Sequence, residues 1–481
     1  MRQRLTLEPA PGPLEHLPFR FERWADGRVL VTNMVGEHVF LSGEEFVALA
    51  ELRIEDPALH RRLRAKHIIR QRGEKLPVEL LALKYQTQHH RLADFTGLHM
   101  FVVTLRCEHS CNYCQVSRRT VNRTEFDMSP DTARAAVDAA FRSPSPQLKF
   151  EFQGGEPLLN MEIVQLVTEE AQRRNATEGR RLAFVIASNL ALLDDDVLDF
   201  ADKHDVYFST SLDGPQELHN RNRPRPGRDS WERAISGVAR IRERLGHHRV
   251  SALMTTTAAS LGRVRDIIDC YLEQGFRDVF LRPLSPYGFA LRQRQRRGYD
   301  MTAWIDFYTE GMDYILELNA QGVPVVETYS ALVLKKMLTN APHGYVDLTS
   351  PAGIGIGALV YNYDGAVYAS DEGRMLAENG DTTFRLGHLA HDSYETLMTG
   401  AALLDPLEES YTGSAPQCSD CAFERWCGAD PVFHHATVGD PLGRKPESAF
   451  CRRNTAVFRY LLDRYAVDPR AREIFRAWAA R

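Results

Sequence analysis

The chain has 481 residues, 43% of them hydrophobic and 26% charged, with a formal net charge of −5. These proportions describe a globular protein of about three domains and exclude collagen-like, coiled-coil and disordered chains, and the near-balanced charge gives no basis for a nucleic-acid partner. No apolar run reaches the ~18–20 residues of a membrane span, and the first residues lack the apolar stretch of a secretory signal, so a cytoplasmic protein without a membrane partner is expected.

Residues 17–75 read as three short strands, FRFERW, RVLVTN and EHVFLS, followed by helices. Asp26-Gly27 is a hairpin turn between the first two. Ser42 ahead of Glu44 and Glu45, and Asp56 ahead of Pro57, are helix starts. A small N-terminal α+β unit, winged-helix-like, is expected over residues 1–90. From 98 to 322 strand and helix alternate. HMFVVTLR, QLKFEFQGG, RLAFVIASN, VYFSTSLDG, RVSALMTTT and DVFLRPL are apolar, β-branched runs separated by amphipathic stretches. Repeated βα units imply a parallel sheet with outer helices. Their number suggests an α/β fold, a partial (βα)6 barrel over 95–325, with its chemistry at the C-terminal ends of the strands. The basic run RQRQRRG at 292–298 reads as a solvated loop. Residues 346–481 carry turn-rich sequence, a cysteine group and an Arg-rich terminal helix.

The cysteines number eight, and in the cytoplasm such residues more often serve metal or redox chemistry than disulfides. Directly after the first barrel strand stand Cys107, Cys111 and Cys114, spaced C-x3-C-x2-C in one loop. Three thiolates can hold three irons of a [4Fe–4S] cluster, leaving the fourth iron open. A zinc site is the alternative, but structural zinc is closed by four ligands, and only His109 is near.

This arrangement resembles the radical S-adenosylmethionine (SAM) enzymes, which carry the same cysteine spacing after the first strand, with an aromatic before the last cysteine, here Tyr113. The resemblance continues strand by strand. Gln153, Gly154, Gly155 and Glu156 end the second strand, where the family binds the SAM amino group. Two adjacent glycines would let the backbone approach that ligand closely. Ser188 and Asn189 end the third strand, where the family contacts the ribose and carboxylate; Ser211 and Asp213 end the fourth, ahead of His219-Asn-Arg221-Asn-Arg223. The resemblance implies that an electron from the reduced cluster cleaves SAM to a 5′-deoxyadenosyl radical, which removes a hydrogen atom from a substrate C–H bond. It also implies a flavodoxin- or ferredoxin-type reductant.

Cys418, Cys421, Cys427 and Cys451 form a second group. Four cysteines at this spacing suit zinc or iron–sulfur equally. Beside a radical SAM barrel they resemble the SPASM extension, which usually holds two auxiliary clusters. The chain departs from that pattern at three positions: near Ser350 or Pro351, at Ser370, and at Pro431. The missing cysteines all serve the family's first auxiliary cluster. The resemblance therefore implies one auxiliary cluster, on Cys418, Cys421, Cys427 and Cys451, and two [4Fe–4S] clusters in all. Asp371 follows Ser370, where some relatives place an acid that takes a proton from the substrate. Cys270, inside an amphipathic helix, reads as a small buried hydrophobe.

The strings LPFRFERW, TLRCEHSCNYCQVSRR, FEFQGGEPLLN and YNYDGAVYASDEGRM resemble most closely the His-Xaa-Ser system radical SAM maturases of the HxsB type. Such proteins stand beside a second radical SAM protein and a small precursor with His-Xaa-Ser repeats. The implied substrate is a ribosomally made peptide or small protein. Two other readings remain open: a maturase of a side chain in another enzyme, as in sulfatase activators, and a non-catalytic iron–sulfur sensor or scaffold.

Overall fold

A computed structural model describes residues 13–287, 298–339, 341 and 344–481. The chain divides into two compact units, one of residues 1–92 with 412–428 and one of 93–411 with 429–481.

In the first unit, β2 (Phe19–Arg23), β3 (Val29–Asn33) and β4 (His38–Leu41) form an antiparallel meander, and β1 (Leu14–His16) pairs antiparallel with β5 (Ile69–Gln71). Ser42 and Glu45 close a capping box on helix Gly43–Ala50, and Asp56 accepts from Ala58 and Leu59 at the head of helix Pro57–Ala65. Val29, Val31, Phe46, Leu49, Leu63 and Ile69 make the core. Segment 412–428 packs with this unit although it lies more than 300 residues downstream, inside the stretch that the sequence groups as one C-terminal extension. Arg20 pairs with Glu424 at 3.0 Å, their side chains 7% and 2% exposed. The Thr412 hydroxyl donates to the second Glu424 oxygen at 2.7 Å, and the Thr32 hydroxyl donates to the Ala422 carbonyl at 2.8 Å. A buried ion pair needs such added hydrogen bonds to offset its desolvation.

The second unit is built on an eight-stranded sheet of order β10-β9-β8-β7-β6-β13-β14-β15. β6 (Leu98–Thr104), β7 (Gln147–Gly154), β8 (Arg181–Ala187), β9 (Val206–Ser211) and β10 (Val250–Leu253) run parallel. Phe101, Phe150, Phe152 and Phe184 are buried along them with ring centroids 5.5–6.0 Å apart, the cross-strand packing that holds a sheet face. Helices separate the strands. Helix Pro130–Ala140, capped by Ser129, buries Ala133, Ala136, Val137 and Ala140, an i, i+3, i+4, i+7 stripe.

Two features differ from the expected barrel. The sixth run contributes only β11 (Asp278–Val279), which pairs with β12 (Val326–Glu327) in a separate two-stranded sheet. Its backbone still meets the fifth run where the Thr256 N–H donates to the Arg282 carbonyl. On the opposite edge, β13 (Ala358–Tyr361) pairs parallel with β6, and β14 (Ala366–Tyr368) and β15 (Arg385–His388) follow antiparallel. Thus the residues after 346 continue the barrel's own sheet. The end of the chain forms helices Ala449–Val467 and Pro469–Ala479, broken at Asp468, which caps the second. The basic run at 292–298 lies outside the described residues except for Gly298. Among the described residues no helix is long and apolar enough to cross a membrane.

Candidate active site

The C-terminal ends of β6 to β10 surround a cleft of about 280 Å³. Cys107, Cys111 and Cys114 line it, on the loop that leaves β6. This loop is tied by its backbone: Cys107 N–H donates to Arg119, Ser110 to Pro224, and Asn112 to Asn222. The last two bonds connect it to the segment after the β9 motif, which explains why both segments are needed to shape one rim.

A buried polar triad supports that rim from behind. The Tyr113 hydroxyl donates to both Asp213 oxygens at 2.9 and 2.8 Å, and Arg223 Nε donates to Asp213 at 3.3 Å. The Arg223 guanidinium also lies 5.2 Å from the Tyr113 ring centroid. Asp213 is wholly buried. Burial opposes the Arg223 charge, but Asp213, Tyr113 and Cys111 together raise its pKa above the ordinary value. Tyr113 and Arg223 line the cleft and Asp213 does not. Asp213 therefore positions the other two and is one shell removed from a ligand.

Glu156 has the same character. It is 0% exposed and accepts from the Ser188 hydroxyl at 2.7 Å, the Asn189 N–H at 2.8 Å and the Leu158 N–H at 3.1 Å. It links the ends of β7 and β8, and burial with the neighbouring Glu108 charge pushes its carboxyl up to about 8. Gln153, Gly154, Gly155, Ser188, Asn189 and Ser211 do line the cleft. The glycines have a different primary reason from the expected one. A Cβ on Gly154 would stand 2.1 Å from the Thr104 carbonyl oxygen, and one on Gly155 would stand 2.1 Å from that of Arg106. The close approach that requires them is to the end of β6, the strand that carries the cysteine loop.

The donor set fits an iron–sulfur cluster better than a single zinc ion. Tetrahedral zinc at 2.3 Å from each sulfur needs sulfurs about 3.8 Å apart. Among the described residues the one group of three metal-binding atoms within 4.8 Å of one another is Cys107, Glu108 and His109, so the three sulfurs are spread more widely than a single ion requires. His109 is turned to Glu108, with Nδ1 2.9 Å from its carboxylate. Burial raises the Cys107 thiol well above its ordinary value and pushes Cys111 up to about 12. Only a bound metal centre would hold these thiols as thiolates.

Asp371 also lines the cleft, with its carboxylate accepting from Arg374 at 3.2 Å. Ser370 and Pro431, two of the positions without the family's cysteines, start helices instead. Ser370 caps Asp371–Ala377 through Gly373 N–H, and Pro431 is the first residue of Pro431–Val438, capped by Asp430. In the second cysteine group, Cys418, Cys421 and Cys427 belong to the first unit. Cys451 belongs to the second, in the first turn of helix Ala449–Val467 under the Ser448 cap. Cys270 is 4% exposed, as expected of a packing residue. Among the cleft residues that the sequence reading did not single out is Arg282, within the sixth run. A charge inside an otherwise apolar run was the available signal.

Residues 101–258 match the model of the Radical SAM superfamily. The chain is 26% identical over 202 residues to the serine-type anaerobic sulfatase-maturating enzyme of Klebsiella aerogenes, a stretch covering 41% of this chain and 48% of that one. Thus it spans about half the length of that curated relative. Among solved structures, anSMEcpe with bound AdoMet and the Kp18Cys peptide aligns with a TM-score of 0.64 at 17% identity, covering 79% of this chain and 99% of that one. Streptococcus suis SuiB bound to its precursor peptide SuiA aligns with a TM-score of 0.52 at 13% identity, covering 90% and 98%. The fold is shared with these solved structures, and the Radical SAM match runs from β6 to β10.

Proposed function

We propose that this radical SAM protein is an enzyme that modifies a ribosomally made peptide or small protein, with a precursor of the His-Xaa-Ser repeat type as the favoured substrate. The observation that carries the reading is the Cys107–Cys111–Cys114 loop at the head of a cleft lined by five successive parallel strand ends, with Asp371 on the same cleft. Cys107, Cys111 and Cys114 would hold a [4Fe–4S] cluster, and Gln153, Gly154, Gly155, Ser188, Asn189 and Ser211 would contact SAM. Cluster and SAM together supply a radical able to remove a hydrogen atom from an unactivated C–H bond. The chain's residues would hold these groups in place, and Asp371, which accepts from Arg374, would accept a proton from the substrate. Cys418, Cys421, Cys427 and Cys451 would hold the auxiliary cluster. A flavodoxin- or ferredoxin-type reductant and a second radical SAM protein are the proposed partners.

Two of the aligned structures contain a peptide, Kp18Cys in anSMEcpe and SuiA in SuiB, which supports a peptide substrate. A second reading, maturation of a side chain in another enzyme, is favoured by the sulfatase-maturating relatives. The serine and proline at 370 and 431 and the N-terminal strand unit count against it. Anaerobic reconstitution with SAM, dithionite and a co-expressed candidate precursor decides between them. Formation of 5′-deoxyadenosine with a mass change in the precursor is expected. Modification of a sulfatase-derived peptide in preference to the precursor would move the assignment to the second reading.

A further inference from the structure

A second cavity, of about 40 Å³, opens between the sixth run and the segments that carry the three cysteine-free positions. It has room for about three waters. Arg282 lines both this cavity and the cleft. Asp347, Glu372 and Asp430 face it, together with Arg282 and Arg453. Each acid stands within four residues of a position where the SPASM pattern places a cysteine: Asp347 before Ser350 and Pro351, Glu372 after Ser370, Asp430 before Pro431. When all three carboxylates are ionised they outweigh the two guanidinium groups by one charge, and the Asp371 charge also reaches both Glu372 and Arg282.

A cluster of acids alone defines no ligand, but two further groups do. Tyr287, 2% exposed, and Trp304, 1% exposed, line the cavity, and Tyr287 Oη and Trp304 Nε1 have no hydrogen-bond partner among the described residues. Buried polar atoms of this kind are costly unless something pairs with them. The indole N–H requires an acceptor, and the phenol oxygen can accept a donor. A metal ion offers no acceptor to the indole N–H, and among the described residues the three carboxylates do not converge within 4.8 Å. A peptide segment meets both, with a backbone carbonyl for Trp304 and a side-chain N–H for Tyr287. The walls suit a cation as well: Phe280 and Tyr329 are stacked at 6.1 Å with Tyr345 edge-on to both, and aromatic faces attract ammonium and guanidinium groups.

We propose that this cavity seats a basic side chain of the peptide substrate, held by Asp347, Glu372 and Asp430 with Tyr287, so that a neighbouring residue of the peptide is presented to the cleft. The proposal rests on the peptide-modifying reading above. Burial and the mutual repulsion of the acids raise the Glu372 and Asp430 carboxyls, and an inserted cation would relieve that repulsion.

The test is calorimetric titration of the full-length, anaerobically reconstituted protein with N-acetyl-lysine methylamide. The neutral norleucine and the anionic glutamate analogues serve as comparisons. The lysine analogue should bind at least tenfold tighter than either. Glu372→Gln and Tyr287→Phe should each weaken it fivefold or more, at unchanged iron content and melting temperature. Equal binding of the norleucine analogue, tighter binding of the glutamate analogue, or an unchanged affinity in Tyr287→Phe would overturn the proposal. Because the titration needs no turnover, a preserved lysine preference with no modified peptide would count against the enzymatic reading and leave the cavity assignment standing.

Discussion

The two cavities that share Arg282 are built on different principles. The larger is lined by strand ends, and backbone, amides, hydroxyls and thiols join Arg223, Arg282 and Asp371 in its walls, with Asp213 and Glu156 kept behind them. The smaller is lined by carboxylates, guanidinium groups and aromatic rings drawn from segments near 282, 347, 372, 430 and 453. In the first, the buried carboxylates Asp213 and Glu156 hold the frame; in the second, three carboxylates line the space itself. The contrast assigns geometry and cofactor handling to the first, and selection of a ligand by its charge to the second.

The largest expected effect breaks the first cavity. Cys111→Ala should abolish SAM cleavage, a loss of more than about 100-fold, and lower iron from about eight to about four per chain. Retained 5′-deoxyadenosine formation would remove the cysteine loop from the site. Asp213→Asn comes next. It leaves Arg223 buried without its counter-charge, and breaking such a pair costs about 3–5 kcal/mol. A lowered denaturation midpoint together with impaired SAM cleavage is expected; an unchanged midpoint would show that the triad holds nothing in place. Gly155→Ala should cost about 3 kcal/mol through overpacking against Arg106. A Gly155→Ala protein that melts normally would mean the ends of β6 and β7 can separate freely.

The larger cavity was legible because its chemistry is local. Cys107, Cys111 and Cys114 fall within eight residues, so their spacing marked them, and Gln153 to Glu156 and Ser188-Asn189 followed at strand ends through the resemblance to radical SAM enzymes. The inward or outward aim of each side chain was not legible. Glu156 and Asp213 belong to motifs that do line the cleft, yet both turn away from it, because each bonds the end of a neighbouring segment. The smaller cavity left no local sequence signal, since its acids stand 25 to 83 positions apart. Likewise, the Arg20–Glu424 pair that ties the Cys418–Cys427 segment to the N-terminal strands joins residues 404 apart, beyond the reach of any periodicity.

The smallest expected effect distinguishes the cavities by pH. Burial, then Asp347, Asp371 and Asp430, push the Glu372 carboxyl up to about 8. Burial and Asp347 push Asp430 up to about 7, against the Phe433 N–H, Arg453 and Lys445, which lower it. Both groups therefore hold protons near neutrality that the unfolded chain has already lost, so their contribution to stability falls as pH rises through these values. An ammonium group stays charged until about pH 10 and favours the ionised carboxylates, so its binding releases protons. Affinity for N-acetyl-lysine methylamide should accordingly rise severalfold from about pH 6 to about pH 9, with protons released into the buffer at neutrality. Arg282 and Arg453 remain charged throughout and cannot produce this slope. Glu372→Gln should flatten it, leaving the smaller dependence of Asp430. An affinity that is flat or falls with rising pH would mean that the carboxylates do not hold the ammonium group, and the contrast between the two cavities would then lose its charge-selective half.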